Sequence, residues 1–151
     1  MGSHYRGNKD EIRALNAFIN LTRASESLMA VQAHRLSAGG ITVTQWGVLE
    51  ALYHLGPMSQ TQLGKKLLKT GGNITLVVHN LEKRSLIQRK RDKDDRRYLE
   101  INLTAKGTRL VEKLLSRHVA GITGDMGCLS AGELEDLRRM CRKLGKSLED
   151  N

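Results

Sequence analysis

The sequence contains few aromatic residues and almost no proline. Aromatic side chains make up 3% of the 151 residues, and Pro57 is the only proline. β-Sandwiches and β-barrels need many strands rich in aromatic and β-branched residues, joined by frequent turns. These all-β folds are therefore disfavoured, and a mostly helical domain fits the composition better. The 39% of hydrophobic residues is enough for one buried core.

Cysteine is also scarce, and the sequence has no long apolar run. Cys128 and Cys141 are too few for a disulfide framework and lack the paired spacing of a zinc site. We expect both thiols to be buried or partly buried, and we expect neither a metal nor a cofactor. No run of about 18 uncharged apolar residues is present that could cross a membrane. The expected location is therefore the cytoplasm, without a membrane partner.

The residue groupings of common catalytic sites are missing as well. The sequence contains no P-loop, no nucleophile elbow and no carboxylate cluster with metal-binding spacing. Asp92, Asp94 and Asp95 are close together, but cations flank them on both sides. We interpret these carboxylates as turn residues and salt-bridge partners, and we predict that the protein is not an enzyme.

Positive charge is concentrated in the middle of the chain. The formal net charge is +9, and residues 60–109 contain 13 Lys or Arg residues against five Asp or Glu residues. The flanking segments are nearly neutral. A concentrated basic segment favours an anionic partner such as nucleic acid.

Apolar residues at helical spacing, together with capping signals, predict six helices and one β-hairpin. The predicted elements are helices at 11–36, 42–55, 59–68 and 72–84, strands at 86–91 and 98–103, and helices beginning at 104 and 130. Leu99, Ile101 and Leu103 alternate with polar residues in the second strand, so we expect these three on a buried face. The predicted fold is mainly α with a small β-hairpin, in the order ααααββαα.

The fourth helix has two contrasting faces. Its inward face is apolar and consists of Ile74, Val77, Val78 and Leu81. The opposite face mixes small, hydroxyl, amide and apolar groups with one cation, and it consists of Gly72, Thr75, Leu76, His79, Asn80 and Lys83. An ordinary solvated helix face is dominated by Glu and Lys pairs. We therefore interpret this face as a surface that reads DNA bases.

Residues 59–84 are typical of a helix-turn-helix, to which the hairpin adds a wing. The second helix of the motif fits the major groove, and an arginine at the wing tip fits the narrow minor groove. Backbone N–H groups at the start of the third helix can bind phosphate. The predicted DNA-binding residues are Ser59, Gln60, Gln62, Lys65, Lys69, Thr70, Gly72, Asn73, Thr75, Leu76, His79, Asn80, Lys83, Asp95, Arg96 and Arg97.

Several motifs in order resemble the MarR (multiple antibiotic resistance regulator) family. Asp95-Arg96-Arg97 is followed after five residues by Leu103-Thr104, which matches the wing signature of that family. Pro57-Met58-Ser59-Gln60 and Gly72-Asn73-Ile74-Thr75 match upstream of it. The resemblance implies a homodimer on a pseudo-palindromic double-stranded DNA operator. It also implies a repressor, associated with the nucleoid of a prokaryotic cell, that a small phenolic or aromatic effector releases.

The resemblance also assigns roles to regions and residues. It implies that helical segments 1–40 and 104–151 form a dimerisation region around a DNA-binding lobe at 41–103. The wing arginine enters the minor groove, and Asp95 orients it. The predicted effector-binding residues are Trp46, Tyr53 and Met29. Ser85 stands where the family usually has Gly, so we expect a left-handed backbone there.

Two alternative functions stay open from the residues alone. The basic segment would suffice for an architectural protein that binds DNA without sequence preference. Cys128 and Cys141 would serve a regulator that senses oxidants. Equal affinity for all duplexes would favour the first alternative, and thiol oxidation that changes DNA binding would favour the second.

Overall fold

A computed structural model describes residues 4–68, 71–91 and 99–149, and these residues form six helices and three short strands. The elements are α1 (Lys9–Ser37), α2 (Val43–Leu55), β1 (Met58–Ser59), α3 (Gln60–Lys66), α4 (Gly71–Lys83), β2 (Ile87–Arg91), β3 (Leu99–Leu103), α5 (Ala105–Met126) and α6 (Ala131–Glu149). The predicted fold class is confirmed, because the helices dominate and the sheet is small.

The sheet has one more strand than the predicted hairpin. Its order is β1-β3-β2, and both pairings are antiparallel. Met58 pairs with Ile101 and Ser59 pairs with Glu100, so β1 closes the edge of the sheet just before α3 begins. Because Ser59 is also the N-cap of α3, the sheet fixes where the helix-turn-helix starts.

Capping interactions set the helix starts as predicted. At α2 the Thr42 side chain accepts a hydrogen bond from the Gln45 N–H, and the Gln45 side chain accepts from the Thr42 N–H. Ser59 and Gln62 form the same reciprocal pair at α3. At α1 Asn8 forms a further capping box, which was not among the predicted ones. Each box satisfies backbone donors that the first turn of a helix leaves unpaired.

The core lies where α2, α3 and α4 meet the sheet. Every buried hydrophobic residue of the described chain lies between Leu36 and Val111. The central side chains are fully buried, including Leu49, Leu63, Ile74, Leu81 and Ile101. Burial of one such side chain contributes about 1.5–3 kcal/mol. The buried stripe of α4 therefore fixes the orientation of this helix by packing.

Leu68 and Leu99 are both exposed, and only Leu99 was predicted to lie on a buried face. Leu68 follows α3 with a backbone φ of 51° and is 81% exposed, because the left-handed conformation turns its side chain away from the core. Leu99, the first residue of β3, is paired with the exposed Arg91 at the end of the sheet and is 51% exposed. Further along that strand, Ile101 is buried and Leu103 is half-buried, as the alternation predicts.

One close backbone approach joins the sheet to α5. A Cβ atom on Gly107 would overlap the carbonyl oxygen of Leu86. The hydroxyl of Thr104, which caps α5, donates to the carbonyl oxygen of Ser85 over 2.7 Å. Glycine at position 107 therefore lets α5 begin directly against the backbone between α4 and β2.

The chain divides into two compact units, Met1–Ser116 and Arg117–Asn151. The first unit contains the core described above. The second contains the C-terminal part of α5 and the whole of α6, and none of the residues of α6, all of which are described, is buried. Among the described helices, none combines the length and the apolar character that a membrane-spanning helix requires.

Candidate nucleic-acid interface

The helix α4 has the two faces that the sequence predicts. Ile74, Val78 and Leu81 are buried, and Val77 is half-buried. The predicted DNA-facing residues of α4 are all exposed, namely Gly72, Asn73, Thr75, Leu76, His79, Asn80 and Lys83. These side chains offer hydrogen-bond donors and acceptors together with one apolar group, which is the chemistry that reads base edges in the major groove.

A side-chain hydrogen bond joins the two helices of the motif across this surface. The amide Nε2 of Gln60 donates to the hydroxyl Oγ1 of Thr75 over 2.7 Å. Gln60 is the first residue of α3, and Thr75 lies in the N-terminal half of α4. Gln60 therefore holds the Thr75 side chain in a fixed orientation. Sequence spacing gave no indication of this hydrogen bond, because the two residues are 15 positions apart.

The start of α3 supplies fewer groups for DNA than the sequence predicts. Ser59 is 8% exposed, and both its side chain and its N–H are engaged with Gln62 in the capping box. Ser59 is therefore mainly a cap. Gln62, Lys65 and Lys66 are exposed and stay candidates for phosphate contacts. Lys69 and Thr70 lie outside the described residues.

The wing adds further cations to the motif. Arg89, Lys90 and Arg91 are exposed along β2, which leads to the wing tip. The predicted set omits these three residues, although the run of three cations is visible in the sequence. The tip residues Asp95, Arg96 and Arg97 lie outside the described residues, so their predicted contacts stay predictions.

Polar contacts fix the wing relative to α4. A carboxylate oxygen of Glu82 accepts from the backbone N–H of Arg89 over 3.3 Å, and its other oxygen lies 3.5 Å from the Arg89 guanidinium. Ser85 has a φ of 57°, which confirms the left-handed turn expected at this position. A left-handed non-glycine residue is strained, and the bond from Thr104 to its carbonyl helps to hold it.

The three predicted effector residues do not form one exposed surface. Trp46 is 3% exposed and belongs to the core. Tyr53, two turns further along α2, is half-buried, with its ring edge-on to that of His54 at a centroid distance of 5.1 Å. Met29 is 47% exposed on α1.

Both cysteines are free thiols and both are exposed, so the expectation of buried or partly buried thiols is wrong. Cys128 lies in the turn after α5, and Cys141 lies on α6, where no residue is buried. Both cysteines lie in the second unit. The positions of the two thiols do not test whether their oxidation serves as a signal.

Comparison with known proteins places this chain in a family. The sequence profile of the MarR family matches residues 41–99. The HTH-type transcriptional regulator MhqR of Bacillus subtilis (strain 168) is 35% identical over 133 residues, which cover 88% of this chain and 92% of MhqR.

Two solved structures share the fold. The DNA complex of S. aureus MepR superposes with a TM-score of 0.75 at 28% identity, covering 85% of this chain and 96% of MepR. Bordetella bronchiseptica BpsR, whose DNA binding is regulated by 6-hydroxynicotinic acid, superposes with a TM-score of 0.77 at 25% identity. The match covers 85% of this chain and 98% of BpsR. With its exposed recognition helix and its wing, this chain belongs to the MarR family of winged-helix DNA-binding transcriptional regulators.

Proposed function

We propose that this protein is a repressor that binds a pseudo-palindromic operator as a homodimer and leaves it when a small molecule binds. The observation that carries the proposal is the division of α4 into a buried apolar stripe and an exposed polar face. Packing holds this helix in place while its outward side chains stay available. The corresponding fold of MepR has been solved as a DNA complex.

The exposed face of α4 enters the major groove in this proposal. Asn73 and Asn80 present amides, Thr75 presents a hydroxyl, and Leu76 can contact a thymine methyl group. The exposed cations Lys65 and Lys83 neutralise phosphates and supply affinity without sequence preference. Affinity therefore falls with salt, whereas sequence preference depends on the uncharged side chains of α4.

The wing arginine enters the adjacent minor groove. The exposed cations of β2 extend toward the tip, which continues the positive surface from α4 to the wing. Arg97 is the proposed minor-groove contact, with Arg96 beside it and Asp95 as its orienting carboxylate. The narrow minor groove has an enhanced negative potential that favours an inserted arginine.

A second copy of the chain covers the terminal helices. Large apolar side chains are exposed on α1, α5 and α6, namely Phe18, Leu21, Met29, Val31, Val119, Ile122, Met140, Leu144 and Leu148. Extensive exposed apolar surface on a protein favours an interface. We assign segments 1–40 and 104–151 to this dimerisation region and 41–103 to the DNA-binding lobe, with half-sites about one helical turn apart.

A small aromatic molecule is the proposed signal. BpsR responds to 6-hydroxynicotinic acid, an aromatic acid, and its fold covers most of this chain. Tyr53 and Met29 are accessible enough to contact such a molecule, and Trp46 would support the site from the core.

The test compares variants of the recognition helix and the wing on the duplex that the protein prefers. Arg97→Ala is expected to weaken binding to that duplex severely. Asn73→Ala and Thr75→Ala are expected to reduce the preference for it over a scrambled duplex, by about 1–3 kcal/mol for each base that is no longer read. Arg139→Ala removes a cation from α6 and is the matched control for charge. Unchanged binding by Arg97→Ala would contradict the wing assignment, and an unchanged preference in both α4 variants would contradict the reading surface.

A further inference from the structure

The hydrogen bond between α3 and the exposed face of α4 ends on a side chain that is proposed to read DNA. The Gln60 Nε2 amide donates to the Thr75 Oγ1 hydroxyl over 2.7 Å. Gln60 is half-buried and Thr75 is exposed. Thr75 lies in the N-terminal half of α4, the part of a helix-turn-helix that approaches base edges first. The bond therefore connects a residue of the first helix of the motif to the reading surface of the second.

The backbone on both sides of this bond is fixed by other interactions. Gln60 directly follows Ser59, which pairs with β3 in the sheet and caps α3. On α4, Ile74 immediately precedes Thr75 and is fully buried. Leu63 of α3 is fully buried in the same core cluster as Ile74. The relative position of the two helices therefore depends on the core, and the exposed bond is not needed to hold them together.

The bond determines the side-chain rotamer of Thr75. A threonine in a helix populates two χ1 rotamers, which place its hydroxyl and its methyl group in different positions. The bond from Gln60 favours the rotamer whose hydroxyl lies within reach of α3. Because one torsion angle sets both groups, the direction of the methyl group is fixed at the same time.

A fixed rotamer sharpens base recognition. Threonine reads a base through its hydroxyl or through contact of its methyl group with a thymine methyl. A side chain that is already ordered in the free protein loses less conformational entropy when it binds. It also presents one arrangement of groups, so it does not adapt to a different base by rotation. Both effects raise the preference for one base pair over the other three.

We propose that Gln60 is a positioning residue for sequence recognition, which selects the Thr75 rotamer that reads one base pair of the operator. This inference rests on the proposed reading of bases by α4. The sequence predicts a direct DNA contact for Gln60, whereas the inference assigns its effect on base preference to Thr75. Sequence preference then depends on a residue outside α4, 15 positions before the side chain that contacts the base.

The first test measures the rotamer of Thr75 in the full chain without DNA. Three-bond NMR couplings to the Thr75 methyl carbon report χ1. The unmodified protein is expected to show one rotamer. Gln60→Met is expected to show averaging over two, because methionine has a similar length and no amide donor. An unchanged Thr75 rotamer in Gln60→Met would overturn the inference.

Gln88→Met on β2 is the matched control for this substitution. Gln88 is half-buried like Gln60, and its side chain forms no hydrogen bond among the described residues. It lies outside the helix-turn-helix. The Thr75 rotamer and the base preference should both be unchanged in this variant.

The second test measures base preference by fluorescence anisotropy. It uses the preferred duplex and a panel in which each base pair of one half-site is replaced in turn. Thr75→Ala removes the hydroxyl and the methyl group, and it is expected to lower the preference at one base pair about tenfold. Gln60→Met is expected to lower the preference at the same base pair by about threefold to tenfold, because Thr75 is present but no longer held. A loss at a different base pair would contradict the inference.

The double variant separates positioning from direct contact. In the Thr75→Ala background, Gln60→Met has no side chain left to position. The double variant should therefore show the same base preference as Thr75→Ala alone, which is the non-additivity expected of two residues that act together. Additive losses would show that Gln60 contacts the base pair itself, and they would overturn the inference.

A purely structural role for Gln60 gives a different result. The Tm of Gln60→Met is expected to fall by about 3 °C or less, because water replaces the lost partner of an exposed bond. A larger fall, together with an equal loss of affinity for every duplex of the panel, would assign Gln60 to the stability of the motif and overturn the inference.

Failure of the inference is distinguishable from failure of the proposed function. If the unmodified protein prefers one duplex and Gln60→Met keeps the full preference, the inference is wrong and the proposed base reading by α4 stands. If the unmodified protein prefers no duplex, the proposed base reading is wrong and the inference fails with it.

Discussion

The winged-helix lobe buries large apolar side chains, whereas the C-terminal helix α6 leaves its own exposed to solvent. In the lobe, α2, α3 and α4 bury large aliphatic residues around Leu49, Leu63 and Ile74. In α6 no residue is buried, and Met140, Leu144 and Leu148 are exposed. The lobe therefore completes its core within one chain, whereas α6 has an apolar face that one chain leaves uncovered. In the proposed function, this difference separates the part that would read DNA from the part that would bind a second copy of the chain.

The charged side chains of the two regions differ as well. On α6, Arg138 and Arg139 each pair with a carboxylate one turn away, at 2.6 and 2.9 Å. Exposed pairs of this kind contribute little to stability. On β2, Lys90 and Arg91 are exposed and form no ion pair with a carboxylate among the described residues. The two arginines of α6 are thus neutralised within the helix, whereas Lys90 and Arg91 have no such partner within the described part of the chain.

The largest expected effect tests whether the lobe core is self-sufficient. Leu49→Ala removes a fully buried side chain and is expected to lower the free energy of unfolding by about 2–5 kcal/mol. Leu55→Ala, on the same helix at an exposed position, is expected to change it by about 0.5 kcal/mol or less. Urea unfolding followed by circular dichroism measures both. Equal effects in the two variants would contradict the location of the core.

The next effect tests the close approach of α5 to the lobe. Gly107→Ala forces its Cβ onto the Leu86 carbonyl oxygen and is expected to cost about 1–3 kcal/mol of stability. Gly124→Ala lies in the same helix with nothing within 4 Å of the added Cβ, and it is expected to stabilise by about 0.5–1 kcal/mol. A Gly107→Ala variant as stable as the unmodified protein would refute the close approach.

A smaller effect tests whether α6 belongs to a dimer. Leu144→Glu places a charge on the exposed apolar face and is expected to raise the dimer dissociation constant about tenfold or more, since burying an unpaired charge is costly. Gly145→Glu adds the same charge one position along and is the control. Analytical ultracentrifugation over a concentration series measures the constant. An unmodified protein that is monomeric at micromolar concentration would contradict the proposal that a second copy of the chain covers the apolar face of α6.

The smallest effect concerns the start of α6. The N–H and the hydroxyl of Ser130 both donate to the Glu133 carboxylate and lower the pKa of Glu133 below its ordinary value. A lowered pKa in the folded state means that this contribution to stability is present above the ordinary pKa and is lost as the pH falls through the folded pKa.

Ser130→Ala removes the hydroxyl and weakens the cap, so the pKa of Glu133 should rise toward its ordinary value. The pKa of Glu135 is lowered by Arg138 instead and should stay low in the same variant. An NMR titration of both carboxyl groups measures the two values. A pKa of Glu133 that does not move in Ser130→Ala would mean that the hydroxyl bond has no effect.

The local features of the fold could be predicted because neighbouring residues determine them. The capping boxes at Thr42 and Ser59 depend on side chains three residues apart, and the stripe of α4 depends on helical periodicity. The left-handed turn at Ser85 was also predictable, from the family pattern that usually has glycine there.

The features that were missed depend on distant residues or on single torsion angles. The two-residue strand β1 is too short for any periodicity, and it forms only because β3 lies beside it. Leu68 is exposed because its own φ is positive, which a leucine does not indicate. The bond between Gln60 and Thr75 joins residues that lie 15 positions apart in the sequence.

The most direct test of the account is sequence preference in DNA binding. Fluorescence anisotropy would compare the duplex upstream of the protein's own gene with a scrambled duplex of equal length, at one salt concentration near physiological. A specific regulator is expected to prefer the upstream duplex by about 10³-fold or more. Equal affinity for the two duplexes would contradict a reading surface on α4 for this operator and would leave only the basic surface of an architectural DNA-binding protein.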